Sequence, residues 1–478
     1  MSMCLGSLVL SGCMVGPKYV KPTTPLAPSF KEAPPDSFKE SDGWKQAQPS
    51  DQTLRGKWWE IFNDPQLNTL EEELTTSNQN LKIAEARLRQ ARSMIRFNRA
   101  SEFPTITTSP SILNERESAN QPYFPAALAN NGTGNFILPF DLSYEVDLWG
   151  RVRRTVSASR EETQATAADL QTANLSLHAE LALDYFELRS TDMQKQLLDD
   201  TVTAYTNALQ LTQNRFEGGA APKSDVAQAQ TQLDGIRVQD TDVTVARAQF
   251  EHAIATLIGK PPAEFTLPPA PQLKLHQPVI PTGLPASLLE RRPDVAADER
   301  RVAEANDQIG IARAAFFPSL VLSATGGFQG TSITNWLNWP SRLWAVGPQM
   351  SQTIFDAGRR RAVSESAVAN YDGTVATYRQ TTLTAFQEVE DNLAALRILE
   401  MEAQQQQRAT ASAEESLQLF TNRYEGGVDN YLQVITAQTV ALSNERNQID
   451  ITRRRMDASV LLVKAVGGGW DVTQLPRY

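Results

Sequence analysis

Cysteine is almost absent from this chain of 478 residues, which has only Cys4 and Cys13. Histidine is little better represented, at His178, His252 and His276. There is no His-Glu-x-x-His run, no closely paired cysteines and no glycine-rich loop following a strand, so the usual ligands and nucleophiles of an enzyme site are missing. The Gly467-Gly468-Gly469 run closes a helical tract and makes a poor phosphate cradle. Basic excess is absent too: 45 Lys and Arg stand against 55 Asp and Glu, for a net charge of -10. Nucleic acid is excluded on that ground, since binding its backbone needs a positive surface. No apolar run reaches ~18 residues, so nothing reads as a membrane-spanning helix. If the chain crosses a bilayer, it must do so as a closed β-barrel. What the composition does offer, 41% hydrophobic and 21% charged residues, suffices for a large buried core.

The first 12 residues read as a targeting segment to be kept out of the fold. Residues 3–10 are apolar, and Leu10-Ser11-Gly12-Cys13 has the small residues and cysteine of a bacterial lipoprotein cleavage site. No Lys or Arg precedes that apolar stretch, an abnormal beginning for a leader. The mature chain is then expected to start at Cys13, carrying an N-acyl group and an S-diacylglycerol and needing no other cofactor. Loss of Cys4 with the leader leaves no partner for a disulfide. Residues 13–63 follow as a proline-studded stretch (Pro17, Pro22, Pro25, Pro28, Pro34, Pro35 and Pro49) that cannot be helical and is expected to lie extended along another surface.

Beyond it the chain is duplicated. Residues 96–104 match 310–318, Gly150-Arg151 matches Gly358-Arg359, and Asn214-Arg215-Phe216-Glu217-Gly218-Gly219 matches Asn422-Arg423-Tyr424-Glu425-Gly426-Gly427. The reading is a first repeat over 64–260, a proline-rich linker over 261–285, a second repeat over 286–466 and a tail over 467–478. Each repeat begins with a helix. The first starts at Asp64-Pro65, with Asp as cap and Pro in the first turn, and is expected to run to about Arg99. A strand hairpin comes next, over 104–147 and again over 318–355. Phe136, Leu138, Phe140, Leu142, Tyr144 and Val146 alternate with Ile137, Pro139, Asp141, Ser143, Glu145 and Asp147, and Trp344, Val346, Pro348, Met350, Gln352 and Ile354 repeat the period of two expected between lipid and water. A soluble two-faced sheet gives the same pattern.

Proline is missing from two tracts, roughly Val152 to Phe216 and Ala362 to Tyr424. As helices at ~1.5 Å per residue they span on the order of 90–100 Å, far beyond the ~11 residues of an ordinary globular helix. Each turns back at a Gly-Gly pair into a shorter helix, giving helical hairpins over 152–258 and 359–466. The fold class is therefore mostly α with β. Four strands per chain cannot close a barrel, so partners are required: three copies supply 12 strands, whereas two supply eight and little lumen.

Three motifs then carry a resemblance. Cys13-Met14-Val15-Gly16-Pro17-Lys18-Tyr19-Val20-Lys21-Pro22 looks like the opening of mature outer-membrane factor lipoproteins of the NodT-type branch that includes OprM. Residues 284–295, Leu-Pro-Ala-Ser-Leu-Leu-Glu-Arg-Arg-Pro-Asp-Val, continuing to Phe317-Pro318-Ser319, resemble that family's central motif, and residues 423–432 its second periplasmic turn. The likeness covers Cys13 to Gly467. It implies a TolC-like trimeric α-barrel topped by a 12-stranded outer-membrane β-barrel, four strands per protomer. It also implies a periplasmic adaptor and an inner-membrane pump of RND type as partners, with drugs or other small toxic molecules as cargo. Two other readings remain open: an exit duct for a type I protein-secretion system, and a coiled-coil spacer at the cell surface.

The resemblance directs attention to the periplasmic tip. Ser224, Asp225 and Tyr424 match a network between the two helical hairpins, and a hydrogen bond from the Tyr424 hydroxyl to the Asp225 carboxylate is expected. Where TolC has a latch arginine this chain has Asp429, and Gln433 and Thr436 stand where TolC has acidic rings. Three copies of Asp429 would form a ring repelling anions. Gly218, Gly219, Gly426 and Gly427 form the turns expected to receive the adaptor. Arg151, Arg153 and Arg154, echoed by Arg359, Arg360 and Arg361 beyond each hairpin, are placed to meet lipid phosphates, or else merely charge a helix start. Trp336, Trp339 and Trp344 are candidates for an aromatic belt.

Overall fold

The computed structural model describes residues 14–24, 28–32, 56–116, 118–120, 122–123, 132–271, 277–278, 280 and 288–478. Cys13, the leader and part of the proline-rich linker lie outside the described residues. Helix α1 (Pro65–Ser77) starts where Asp64 caps it, its carboxylate accepting from the Gln66 and Leu67 amides. The single helix expected to Arg99 is in fact two. Asn78 leaves helical geometry at ψ 127 and its side-chain oxygen caps α2 (Gln79–Arg99) at Leu81, while its amide donates to the Leu257 carbonyl at 2.7 Å. A side chain able to satisfy both ends of a break makes the break cheap.

The sheet follows. β1 (Thr105–Thr108) and β2 (Ser111–Glu115) both pair antiparallel with β3 (Thr133–Val146), Thr108 facing Phe140 and Ser111 facing Ile137. The register runs unbroken through Ser109-Pro110, so these are one strand interrupted by a proline that has no N–H for the ladder. β3 pairs with β4 (Ser319–Gly330) from the second repeat, and β4 with β5 (Arg342–Ser351). Ile354, expected in the last strand, lies beyond its end. The two hairpins thus fuse into one antiparallel meander with free outer edges at β1/β2 and β5.

That register aligns one face across the sheet: Ile106 with Leu142, Leu142 with Ala324, and Ala324 with Val346. The apolar side is uncovered, with Ile106, Ile112, Phe140, Trp344, Val346 and Met350 all exposed. On the other side a polar row forms, the Thr325 hydroxyl donating to Asp141 at 2.6 Å and Gln329 to Asn135 at 2.9 Å. A face this apolar and this bare demands a non-aqueous neighbour.

Long helices hang from the sheet. α3 (Arg151–Glu217) and α7 (Arg359–Glu425) have 67 residues each, and α4 (Lys223–Leu257) and α8 (Tyr431–Ala465) return with 35 each. A one-turn helix, α5 (Leu288–Arg291), leads into α6 (Pro293–Ala314), which packs against both α3 and α7. At mid-length Trp58, Phe62, Leu67 and Leu74 fill a core with Leu181, Phe186, Val460 and Val463. Inside it His178 Nδ1 meets Glu71 Oε2 at 2.5 Å, beneath the stacked ring of Trp59. Burial alone keeps both uncharged, pushing the Glu71 carboxyl well above its usual range and the His178 imidazole down to about 4.

The N-terminal stretch is a strap across both repeats. The Val15 amide donates to the Trp149 carbonyl at 3.1 Å, Tyr19 bonds Glu299, and the Lys31 and Glu32 amides bond Glu390 at 2.6 and 2.8 Å. Gly16 passes so close to Gly310 that a Cβ on it would meet the Gly310 Cα at 2.6 Å.

Candidate functional site at the helical tip

At the end remote from the sheet both long helices stop in the same way. After Glu217 the Gly219 amide bonds the Phe216 carbonyl and the Ala220 amide the Arg215 carbonyl. After Glu425 the Gly427 amide bonds Tyr424 and the Val428 amide Arg423. This double bond pattern needs one left-handed residue, supplied by Gly219 (φ 73) and Gly427 (φ 74). Gly218 and Gly426 keep right-handed geometry (φ -77 and -72), so only the second glycine of each pair is dictated by the turn.

The hairpins are joined below by a second core in which Tyr205, Leu209 and Leu233 of the first repeat pack with Tyr424, Tyr431 and Val434 of the second. Here the expected latch is corrected. Tyr424 is buried, but among the described residues its hydroxyl has no hydrogen-bond partner, and no bond to Asp225 forms. Asp225 instead accepts from its neighbour Ser224 at 3.4 Å.

Arg215, which the sequence reading passed over, has taken the ring. Its guanidinium carbon lies 4.6 Å from the Tyr424 ring centroid, and its Nη1 donates to the Tyr424 and Glu425 carbonyls at 2.9 and 3.0 Å. A cation thus sits on the last carbonyls of α7, where the helix dipole is negative, and over an aromatic face. Tyr431 lies against Tyr424 with its ring tilted by 55° and the centroids 5.2 Å apart. Its own phenol is pushed up to about 12 by burial and then by Tyr424, Tyr205 and Asp225 nearby.

Asp429 is corrected as well. It does not stand as a bare carboxylate: Arg423 donates to it at 2.6 and 3.1 Å, and that hydrogen bond holds its carboxyl below the ordinary range. A pair of opposite charges presents little net field to an anion. Gln433 follows in α8, its amide accepted by the Asn430 side chain at 3.4 Å.

Of the six arginines beyond the strands, Arg154 points away from any lipid. It is buried, donating to Asp307 at 2.7 Å and to the Val15 and Pro17 carbonyls of the strap at 2.8 and 3.1 Å. Arg151 pairs with Glu145, Arg153 with Asp147, and Arg360 with Asp356 while lying over Phe316. Arg359 and Arg361 remain at the surface, Arg361 paired with Glu365. Among the tryptophans, Trp339 and Trp344 are exposed, while Trp336 leans on Phe136 at 5.7 Å. No group of His, Cys, Asp or Glu among the described residues is arranged to hold a metal.

Comparison with known proteins agrees with this geometry. The family model described as outer membrane efflux protein matches residues 70–260 and 284–468. The toluene efflux pump outer membrane protein TtgF of Pseudomonas putida is 32% identical over 472 residues, 97% of this chain and 96% of that protein. The outer membrane protein OprJ of Pseudomonas aeruginosa is 31% identical over 477 residues, 98% of this chain and 96% of that one. Among solved structures, the outer-membrane channel OprN superposes with a TM-score of 0.84 at 28% identity, covering 96% of this chain and all (100%) of that one. The open state of the Neisseria gonorrhoeae MtrE outer membrane channel gives 0.81 at 25%, covering 96% of this chain and 98% of that one. The architecture is thus that of TolC-like outer-membrane channels.

Proposed function

Since the chain belongs to the outer membrane efflux protein family, we propose that it is the outer-membrane exit duct of a tripartite efflux system, a passive conduit for drugs or other small toxic molecules that does no covalent chemistry. The observation that carries this reading is the sheet: one uncovered apolar face, one polar face and two free edges, set on helices of 67 residues. Free edges cannot persist in hydrocarbon, where every backbone group must be satisfied within the protein. A homotrimer closes them, giving 12 strands with the polar row lining a water-filled lumen. The helices, ~100 Å long at ~1.5 Å per residue, continue the tube through the periplasm.

In this reading the turns at Gly218-Gly219 and Gly426-Gly427 receive the periplasmic adaptor, and an inner-membrane pump of RND type supplies the energy. Cys13 carries the lipid that anchors the strap at the membrane surface, and Arg151, Arg153, Arg359 and Arg361 border the headgroups. Because a wide lumen selects little, cargo choice is left to the pump. The test is to reconstitute the purified protein in planar bilayers and measure its mass in parallel. Stable trimers passing ionic current are expected; a monomer that seals the membrane refutes the duct.

A further inference from the structure

The two tip turns have the same backbone but not the same partners, and the difference lies in two matched pairs of residues. Arg215 and Arg423 occupy equivalent positions, each three residues before the Gly-Gly turn begins. Arg215 crosses to the other hairpin and caps the Tyr424 and Glu425 carbonyls of α7. Arg423 folds back onto Asp429 of its own turn. The position equivalent to Asp429 in the first repeat is Ala221, so Arg215 has no carboxylate at home to hold it. Burial differs in the same sense. Tyr424, covered by Arg215, is 3% exposed, whereas its counterpart Phe216 is 42% exposed. The Phe216 carbonyl accepts the turn bond from Gly219, while that of Tyr424 accepts both the turn bond and Arg215.

The order of the helices says what should cover Phe216. α3 packs between α4 and α8, and α7 packs on α8, so α4 and α7 are the outer helices of the protomer. Passing from the first repeat to the second, Arg215 reaches forward to the end of the next long helix. In a ring the next long helix beyond α7 is α3 of another copy. We infer that Arg423 is the inter-subunit counterpart of Arg215. In the closed ring it leaves Asp429, lies over Phe216 of the next copy and caps the Phe216 and Glu217 carbonyls there, while Asp429 competes for it.

The tip therefore has two kinds of seam. Three seams inside protomers are held by Arg215 without competition. Three seams between protomers are held by Arg423 against Asp429, and these part first. The inference rests on the reading of the chain as a ring of three copies.

Two measurements test it. Phe216→Cys combined with Arg423→Cys, treated with a short bis-maleimide, should give covalently linked dimers and trimers on a denaturing gel. In bilayers Asp429→Ala should lower the open probability by about tenfold, the effect of ~1.4 kcal/mol on a two-state tip. Arg423→Ala should raise it, and the double variant should behave as Arg423→Ala alone. Crosslinks confined to single chains, or an Asp429→Ala effect that persists without Arg423, overturns the latch while wild-type trimers still conduct. Wild-type protein that is monomeric and silent overturns the duct reading and this inference together.

Discussion

Arg154 meets Asp307 at 2.7 Å inside the junction of α3 and α6, and through the same guanidinium it holds the carbonyls of Val15 and Pro17. One buried cation therefore ties the strap to both repeats. Removing one member of a buried pair leaves the other charge uncompensated and costs about 3–5 kcal/mol. Arg154→Met should lower the melting temperature and expose Lys18 and Lys21 to limited proteolysis, and Arg154→Lys should rescue little because it lacks the planar fork. A double variant, Arg154→Met with Asp307→Leu, should recover much of the melting temperature but not the protection of the strap. An intact strap in Arg154→Met would refute the clamp.

Glu71 and His178 should make stability depend on pH in opposite senses. The Glu71 carboxyl is raised in the fold, so its contribution is full below the unfolded value of about 4.3 and is lost as pH climbs toward the folded value. His178 is lowered to about 4, so its contribution is full above its unfolded value of about 6.5 and is lost as pH falls through about 4. Glu71→Gln keeps a polar partner for the imidazole and cannot ionise. Its melting temperature relative to wild type should rise between pH 4 and pH 7; a constant difference would mean that Glu71 does not titrate there.

In the proposed duct, the register puts lipid and water against alternate residues of β5. Val346 lies on the uncovered apolar face and Ala345 on the polar one. An arginine facing lipid near the bilayer centre costs about 2–4 kcal/mol per copy. Val346→Arg should therefore abolish outer-membrane trimers, whereas Ala345→Arg should assemble and shift the current toward anions. Equal assembly of both variants would count against the barrel.

Only one glycine of each tip pair is needed by the backbone. Gly427→Ala must place a Cβ in the left-handed region, costing about 1–2 kcal/mol, while Gly426→Ala stays right-handed. Hydrogen exchange at the Val428 amide should quicken by roughly tenfold in Gly427→Ala and stay near wild type in Gly426→Ala. The reverse order would mean that the turn is not the one described.

Much of this architecture was readable from residue spacing. Proline-free tracts at Val152–Phe216 and Ala362–Tyr424 become α3 and α7, and alternation in β3 and β5 marks the two sheet faces, because helix and strand periods follow from backbone geometry alone. The inward turn of Arg154 was harder to see, since nothing local separates it from Arg151 and Arg153. Its signal lies far along the chain, in Gly310 near the end of α6, where a Cβ would collide with the Arg154 side chain. At the tip, the Tyr424 hydroxyl is buried without a partner while Arg215 lies over its ring and on its carbonyl, an arrangement that no local pattern announces. The readable clue was Ala221 standing opposite Asp429 in otherwise matching turns. Breaks set by a single side chain, such as Asn78, leave little trace in a hydrophobic pattern.

The pairing of β3 with β4 joins residues as far apart as Asn135 and Gln329, 194 positions along the chain. Everything between them must be made and brought back before those strands can touch, whereas each helical hairpin closes on neighbours in sequence. Loop closure over such a span is slow, and local contacts form earlier. The sheet is therefore expected to form after the helical hairpins, whose contacts are local.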